Sequence, residues 1–212
     1  TPKPSSAASD VYKRQVEKGF GKIKIYAPLR GIVGGILIIV TIYVFNSFQS
    51  LGIGDGTINE IISGGKFSNF LFINKALVTA FTLGSGGSGG ILTPMLFIGS
   101  SFGNAWAQIT GSNVAFYSAI GMASFLAACS NVPISSIIIA MELFGNQVGI
   151  YAAIAIGISY IIVGHESIYP TQVVVYSKTP SLSIDENIEV NDIKEQKMSE
   201  KKHIVKRFFT RD

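Results

Sequence analysis

Gly84-Ser85-Gly86-Gly87-Ser88-Gly89-Gly90-Ile91-Leu92-Thr93-Pro94 separates two apolar segments, Ala76 to Leu83 before it and Met95 to Ala107 after it. Five of its first seven residues are glycine. Each glycine costs a helix ~1 kcal/mol relative to alanine, so helical structure must stop here. In a lipid-like setting the backbone satisfies its own polar groups unless it lines a cavity or is buried in protein. A glycine-rich break between two such helices therefore points to a place where backbone N–H groups meet a ligand. Those N–H groups open the following helix, where the dipole favours negative charge. The stretch reads as an anion site inside a membrane.

The composition agrees with that setting. Charged residues make up 14% of the 212-residue chain, and the mean hydropathy is +0.42. Soluble domains carry about 25% charged residues. The stretch between Lys75 and Lys178 holds two acids, Glu142 and Glu166, and no lysine or arginine. The formal net charge of +4 comes from the two ends, which is a pattern of membrane topology rather than of nucleic-acid binding. The single cysteine, Cys129, excludes an internal disulfide and a cysteine metal cluster and reads as a small packing residue. His165 and Glu166 fall in a loop and do not make a metal site. No metal or cofactor is expected, and no enzymatic chemistry. Thr1 to Lys24 has no apolar core of a signal peptide.

Four regions follow in order. Residues 1–15 are polar, resemble translated adapter sequence and are read as non-native, so that the chain is expected to be a fragment whose N-terminal portion lies upstream. Residues 16–30 carry Glu17, Lys18, Lys22, Lys24 and Arg30, the flank expected on the cytosolic side. Residues 31–176 form the transmembrane region, and residues 177–212 a charged, water-exposed tail. Within the membrane region, Gly31 to Phe45 is apolar with the small pair Gly34-Gly35. Thr57 to Ser63 predicts a short helix, with Thr57 as cap and Glu60 completing a capping box, closed by Gly64-Gly65. Phe67 to Leu83 leads into the glycine-rich stretch. Gly99 and Gly103 give the next helix a small-xxx-small face, and Ala115 to Cys129 is a further helix. Pro133 opens the helix Ile134 to Phe144, with Ser130 or Asn131 as its cap. Gly145-Asn146 turns the chain, and Val148 to Val163 runs back. Short, glycine- and proline-interrupted segments of this kind are the pattern of broken helices that meet at a midplane site.

Gly84-x-Gly86-x-x-Gly89 also matches the dinucleotide fingerprint. That motif needs a strand before it and an acidic residue about 20 positions on. An apolar helical segment precedes it here, and no Asp or Glu lies near Gln108.

GSGGSGGILTPMLFIGSSFGNAWA resembles the third signature segment of the CLC chloride channel and transporter family, a glycine-rich turn followed by G-[IV]-F-x-P at a helix start. Leu51-Gly52-Ile53-Gly54-Asp55-Gly56, Asn131-Val132-Pro133-Ile134 through Met141-Glu142-Leu143, and Ser167-Ile168-Tyr169-Pro170 resemble further family segments in the same order. The resemblance covers Leu29 to Tyr176 and implies an all-α, polytopic membrane protein with broken, tilted helices, the C-terminal half of the CLC fold. It implies transport of chloride, as channel or as proton-coupled exchanger, with the lipid bilayer as surroundings and a homodimer as assembly. The helices Ile134 to Phe144 and Val148 to Val163 would supply part of the dimer contact. The backbone N–H groups of Ile91 and Leu92 and the hydroxyl of Tyr169 would hold the anion. Gly86, Gly87, Gly89, Gly90 and Pro94 would shape the supporting turn. Such neutral donors bind an anion yet let it leave. Leu92 stands where the family usually has phenylalanine, and Thr93 where alanine is frequent. The family segments that supply a serine ligand and the gating glutamate do not occur in this sequence. Glu142, close to the end of its helix, reads as a pairing or helix-end residue rather than a proton carrier. Two other classes remain open: an unrelated secondary anion transporter, and a non-conducting membrane subunit that needs a partner.

Overall fold

A computed structural model of the chain describes residues 27–164, 167–169, 172–174 and 188–189. Expectations for residues 1–15, residues 16–26, His165, Glu166 and most of the 177–212 tail lie outside them. Among the described residues six helices carry the fold: α1 Ala27–Phe45, α2 Asp55–Ile62, α3 Leu71–Gly84, α4 Leu92–Thr110, α5 Val114–Ser130 and α6 Pro133–Val163. A short 3-10 turn, Phe48–Ser50, joins α1 to α2. Val173–Val174 and Ile188–Glu189 (β1 and β2) pair antiparallel. The all-α class therefore stands, with a two-residue pairing that links the tail to the segment after Tyr169.

Two helices end by the same glycine device. After α2, Gly64 N–H bonds to Ile61 C=O at 3.0 Å and Gly65 N–H to Glu60 C=O at 2.9 Å. After α3, Gly86 N–H bonds to Leu83 C=O at 3.2 Å and Gly87 N–H to Thr82 C=O at 2.9 Å. Gly64 and Gly86 have φ of +97° and +93°. Each pair is a Schellman closure, which satisfies the last carbonyls of its helix and needs a left-handed residue at its centre. Gly64-Gly65 thus closes α2 as its sequence implies. The helix itself begins at Asp55 after an N-cap Gly54, so Thr57 lies inside it and is not the cap. Likewise no side chain caps α6: its N-cap is Val132, with Pro133 in the first turn. Asn131, in the left-handed region, closes α5 instead. At the start of α5, Asn113 accepts a hydrogen bond from Phe116 N–H at 3.0 Å.

The core lies where α5 is gripped by its neighbours. A Cβ on Gly99 would meet Gly121 O at 2.6 Å and Met122 Cα at 2.9 Å. One on Gly103 would run into the carbonyl of Tyr117, and one on Gly121 would meet Gly99 O at 2.5 Å. The small-xxx-small face of α4 therefore lies backbone-to-backbone against α5, an approach that only glycine permits. On its other side α5 contributes Ala123 and Ala127 to a buried cluster with Ala140, Ala152 and Ile156 of α6. Gly34 of α1 packs against the Ser85 side chain at the end of α3, while Gly35 faces open space.

Both arms of α6 reach α5 because the helix is broken. Gly145 has φ +83° and ψ +164°, a conformation essentially reserved for glycine. A Cβ on Gly149 would meet Met141 Cα at 3.2 Å, although an unbroken helix would separate residues eight apart by ~12 Å. The chain doubles back at Gly145, as its sequence implies. Pro133–Val163 is the one helix among the described residues with the length and composition to cross a membrane. The break divides it into two shorter arms.

Thermal unfolding in detergent separates these glycines. Gly103→Ala should lower stability by about 1–3 kcal/mol through overpacking, and Gly145→Ala by a similar ~1–3 kcal/mol through backbone strain. Gly35→Ala, inside a helix with room for a methyl group, should be neutral or raise stability by up to ~1 kcal/mol. Equal melting temperatures for Gly103→Ala and Gly35→Ala would contradict the packing account.

Candidate functional site

The glycine-rich turn divides its labour. Gly86 and Gly87 donate their N–H groups to α3, so these two close a helix rather than face a ligand. Gly87 also leaves no room for a side chain: a Cβ there would meet Thr82 O at 2.6 Å. Beyond them the chain enters α4 through Ile91, the N-cap residue, with no side-chain cap. The first turn of α4 closes with Met95 N–H to Ile91 C=O at 3.2 Å. The N–H groups of Leu92 and Thr93 come before that ladder, where a helix has no internal partner for them, and Pro94 has no N–H to offer.

Two cavities flank this helix start. One, of about 460 Å³, is lined by Leu92, Ser130, Val132, Tyr169 and Gln172 among others. The other, of about 410 Å³, is lined by Lys75, Thr79, Thr82, Gly89, Gly90 and Pro94 among others. The fold thus brings Leu92 and Tyr169 to one cavity and puts Gly89, Gly90 and Pro94 on the other. Ile91, the N-cap residue, is in the lining of neither.

Tyr169 reaches its cavity through the end of α5. Ile168 N–H bonds to Cys129 C=O at 2.8 Å, and Tyr169 N–H to Ser167 Oγ at 3.1 Å. A carbonyl in the last turn of α5, which the helix cannot satisfy, thereby fastens the segment that carries the tyrosine. Gln172 N–H bonds back to Tyr169 C=O at 3.2 Å, a turn that brings the glutamine to the same cavity.

Sequence reasoning gave no functional role to Lys75, Asn74, Ser130 or Gln172. Lys75, a lone cation in an apolar helix, is 2% exposed. Its Nζ donates to the carbonyls of Gly52 at 2.7 Å and Ser50 at 3.1 Å, and lies 4.7 Å from the centroid of the Phe97 ring. Asn74, fully buried, donates to Ser50 Oγ at 2.9 Å. Together they bind the loop between α1 and α2 to α3 and α4. Gly54 completes the knot, because φ is +85° and a Cβ would strike Phe97 at 2.7 Å. The sign available in the sequence was Lys75 itself, since an ionisable residue in an apolar helix faces protein or a cavity. Ser130 and Gln172 carried no such sign. Glu142 is exposed in the turn before the Gly145 break.

Comparison with known proteins gives a consistent picture. Residues 6–164 match the family described as voltage gated chloride channel. A chloride/fluoride channel protein of Pseudomonas syringae pv. tomato is 34% identical over 176 residues, covering 80% of this chain and 38% of its own length. An H(+)/Cl(-) exchange transporter ClcA of Klebsiella pneumoniae is 28% identical over 138 residues, covering 59% of this chain and 28% of its own. Among solved structures, a CLC-type fluoride/proton antiporter superposes with a TM-score of 0.65 at 25% identity, over 77% of this chain and 40% of that one. The chain therefore spans well under half the length of these relatives.

Lys75→Met should release the loop that the lysine holds. Leaving buried carbonyls unsatisfied costs about 1–3 kcal/mol, so hydrogen–deuterium exchange over residues 51–54 should rise while exchange over α6 stays constant. Unaltered exchange over 51–54 would mean that other contacts hold the loop.

Proposed function

This chain belongs to the voltage-gated chloride channel (CLC) family, and on that premise we propose that it forms part of a membrane pathway for small monovalent anions, chloride first among them. The observation that carries the reading is the cavity shared by Leu92, in the uncapped first turn of α4, and Tyr169. Backbone N–H groups at a helix start and one phenolic hydroxyl are donors without a full positive charge. They replace part of an anion's water shell and leave the anion free to move on. The backbone N–H groups of Ile91 and Leu92 and the hydroxyl of Tyr169 are the proposed ligands, and the anion is cargo rather than cofactor.

A second reading, fluoride as cargo, has its own support. Leu92 removes the aromatic ring that the family usually places there, and two of the relatives described above bear fluoride in their names. Family membership sets aside an unrelated secondary transporter. The outward-facing isoleucines of the second α6 arm, Ile150, Ile154, Ile158, Ile161 and Ile162, suit lipid or a second copy of the chain. We place the protein in the cell membrane as a homodimer, with the basic flank and the charged tail in the cytosol.

Ion flux from liposomes holding the whole protein that carries this chain tests the reading. Tyr169→Phe should weaken anion binding by roughly tenfold, as expected for loss of one hydrogen bond to a charged group worth ~1.5 kcal/mol, with little change in melting temperature. Unaltered binding and flux would remove Tyr169 from the pathway. Parallel assays in chloride and in fluoride decide between the two cargoes.

A further inference from the structure

We propose that Gln172 and Ser130 act as selectivity residues of the Leu92–Tyr169 cavity, taking over part of a passing halide's water shell and favouring small, strongly hydrated halides over large ones. The inference rests on the anion-pathway reading and adds to it a wall that neither the signature turn nor the tyrosine supplies.

Gln172 Oε1 is buried and has no hydrogen-bond partner among the described residues. Buried amide oxygens are almost always satisfied, and Gln172 is among the residues that line this cavity, so its amide takes the missing partner from what fills that space. A cavity of about 460 Å³ with several polar groups has room for water. Ser130 is 4% exposed, and the contact its hydroxyl makes inside the protein is with Met95 Sδ at 4.0 Å. A thioether is a weak acceptor, so the hydroxyl keeps its hydrogen-bonding capacity for the cavity. Ser130 ends α5, and Gln172 follows Tyr169 by one turn of chain. Tyr169, Ser130 and Gln172 thus gather the cavity's polar side chains. Leu92, Leu126, Val132 and Ile139 make up the rest of the lining.

This division has a chemical consequence. Moving an anion out of water costs most for the smallest ion, which holds its water most tightly. A wall made wholly of leucine, valine and isoleucine would therefore discriminate against small halides. A glutamine amide answers both sides of the problem: its NH₂ can donate to the ion, and its Oε1 can accept from a water that travels or stays with it. The serine hydroxyl adds one more donor. All three polar side chains are neutral, so the small ion is admitted without being trapped by a fixed charge.

The experiment measures halide selectivity in liposomes holding the whole protein, with fluoride, chloride, bromide and nitrate compared under one gradient. Gln172→Leu, Ser130→Ala and the double variant should each lower the fluoride-to-bromide flux ratio, the double variant several-fold. Gln172→Asn, which keeps the amide, should retain most of the wild-type ratio. A structural role alone would lower all fluxes together and leave the ratio in place. An unchanged ratio in the double variant would overturn the inference while leaving the anion pathway standing. Wild-type liposomes that pass no halide would overturn the pathway and this inference with it. If Gln172→Leu fails size-exclusion chromatography, the Ser130→Ala ratio decides alone.

Discussion

The start of α4 must enter an apolar environment with its first N–H groups uncapped, and most of the surrounding structure serves that constraint. A helix leaves those groups without internal partners. Side-chain caps such as serine or aspartate would satisfy them. Here the residue in the cap position is Ile91, which has nothing to offer. The donors stay available because the chain arrives through glycine. Gly86 and Gly87 seal the preceding helix within two residues, which frees the next few residues to turn towards α4.

Holding such a helix start in place requires rigid support behind it. Gly99 and Gly103 let α4 lie directly on the backbone of α5 at Gly121, and α5 in turn rests on both arms of α6 through alanines. The far end of α5 then contributes to the same cavity twice: Cys129 C=O fastens the Tyr169 segment, and Ser130 lines the wall. Position is passed from the signature turn to the tyrosine through one helix, whose two ends are defined by Asn113 and Asn131. On the opposite side, Lys75 and Asn74 join the α1–α2 loop to α3, with Phe97 of α4 beneath the lysine. This buried cation is held by direct bonds to carbonyls, with the charge of Asp55 acting on it from nearby, and removing its partners would leave a costly uncompensated charge.

The outer surface has the opposite character. Large apolar side chains face outward along α1 and along the second arm of α6, with Tyr43 at 73% and Ile162 at 77% exposure. In water such faces would associate without specificity. Beside lipid, or beside a second subunit, they are the expected exterior of a membrane fold.

Much of this was legible in the sequence because it rests on local rules. Glycine and proline punctuation located the six helices to within a few residues, and the doubling back at Gly145 followed from a glycine-asparagine pair in an apolar run. The period of four between Gly99 and Gly103 identified a packing face without naming its partner. The Thr57 cap failed because Asp55 and Gly56 extend the helix backwards, with Gly54 supplying the left-handed entry. Local capping rules rank candidates but do not see such a neighbour. What only the tertiary structure decided is which distant residues share a space: that Leu92 and Tyr169 line one cavity, that Ser130 and Gln172 join them, and that Lys75 holds a loop more than twenty residues upstream. The reason is physical. Helix starts, stops and faces arise from backbone geometry over a few residues, whereas a cavity wall is made of side chains brought together by the way whole helices pack.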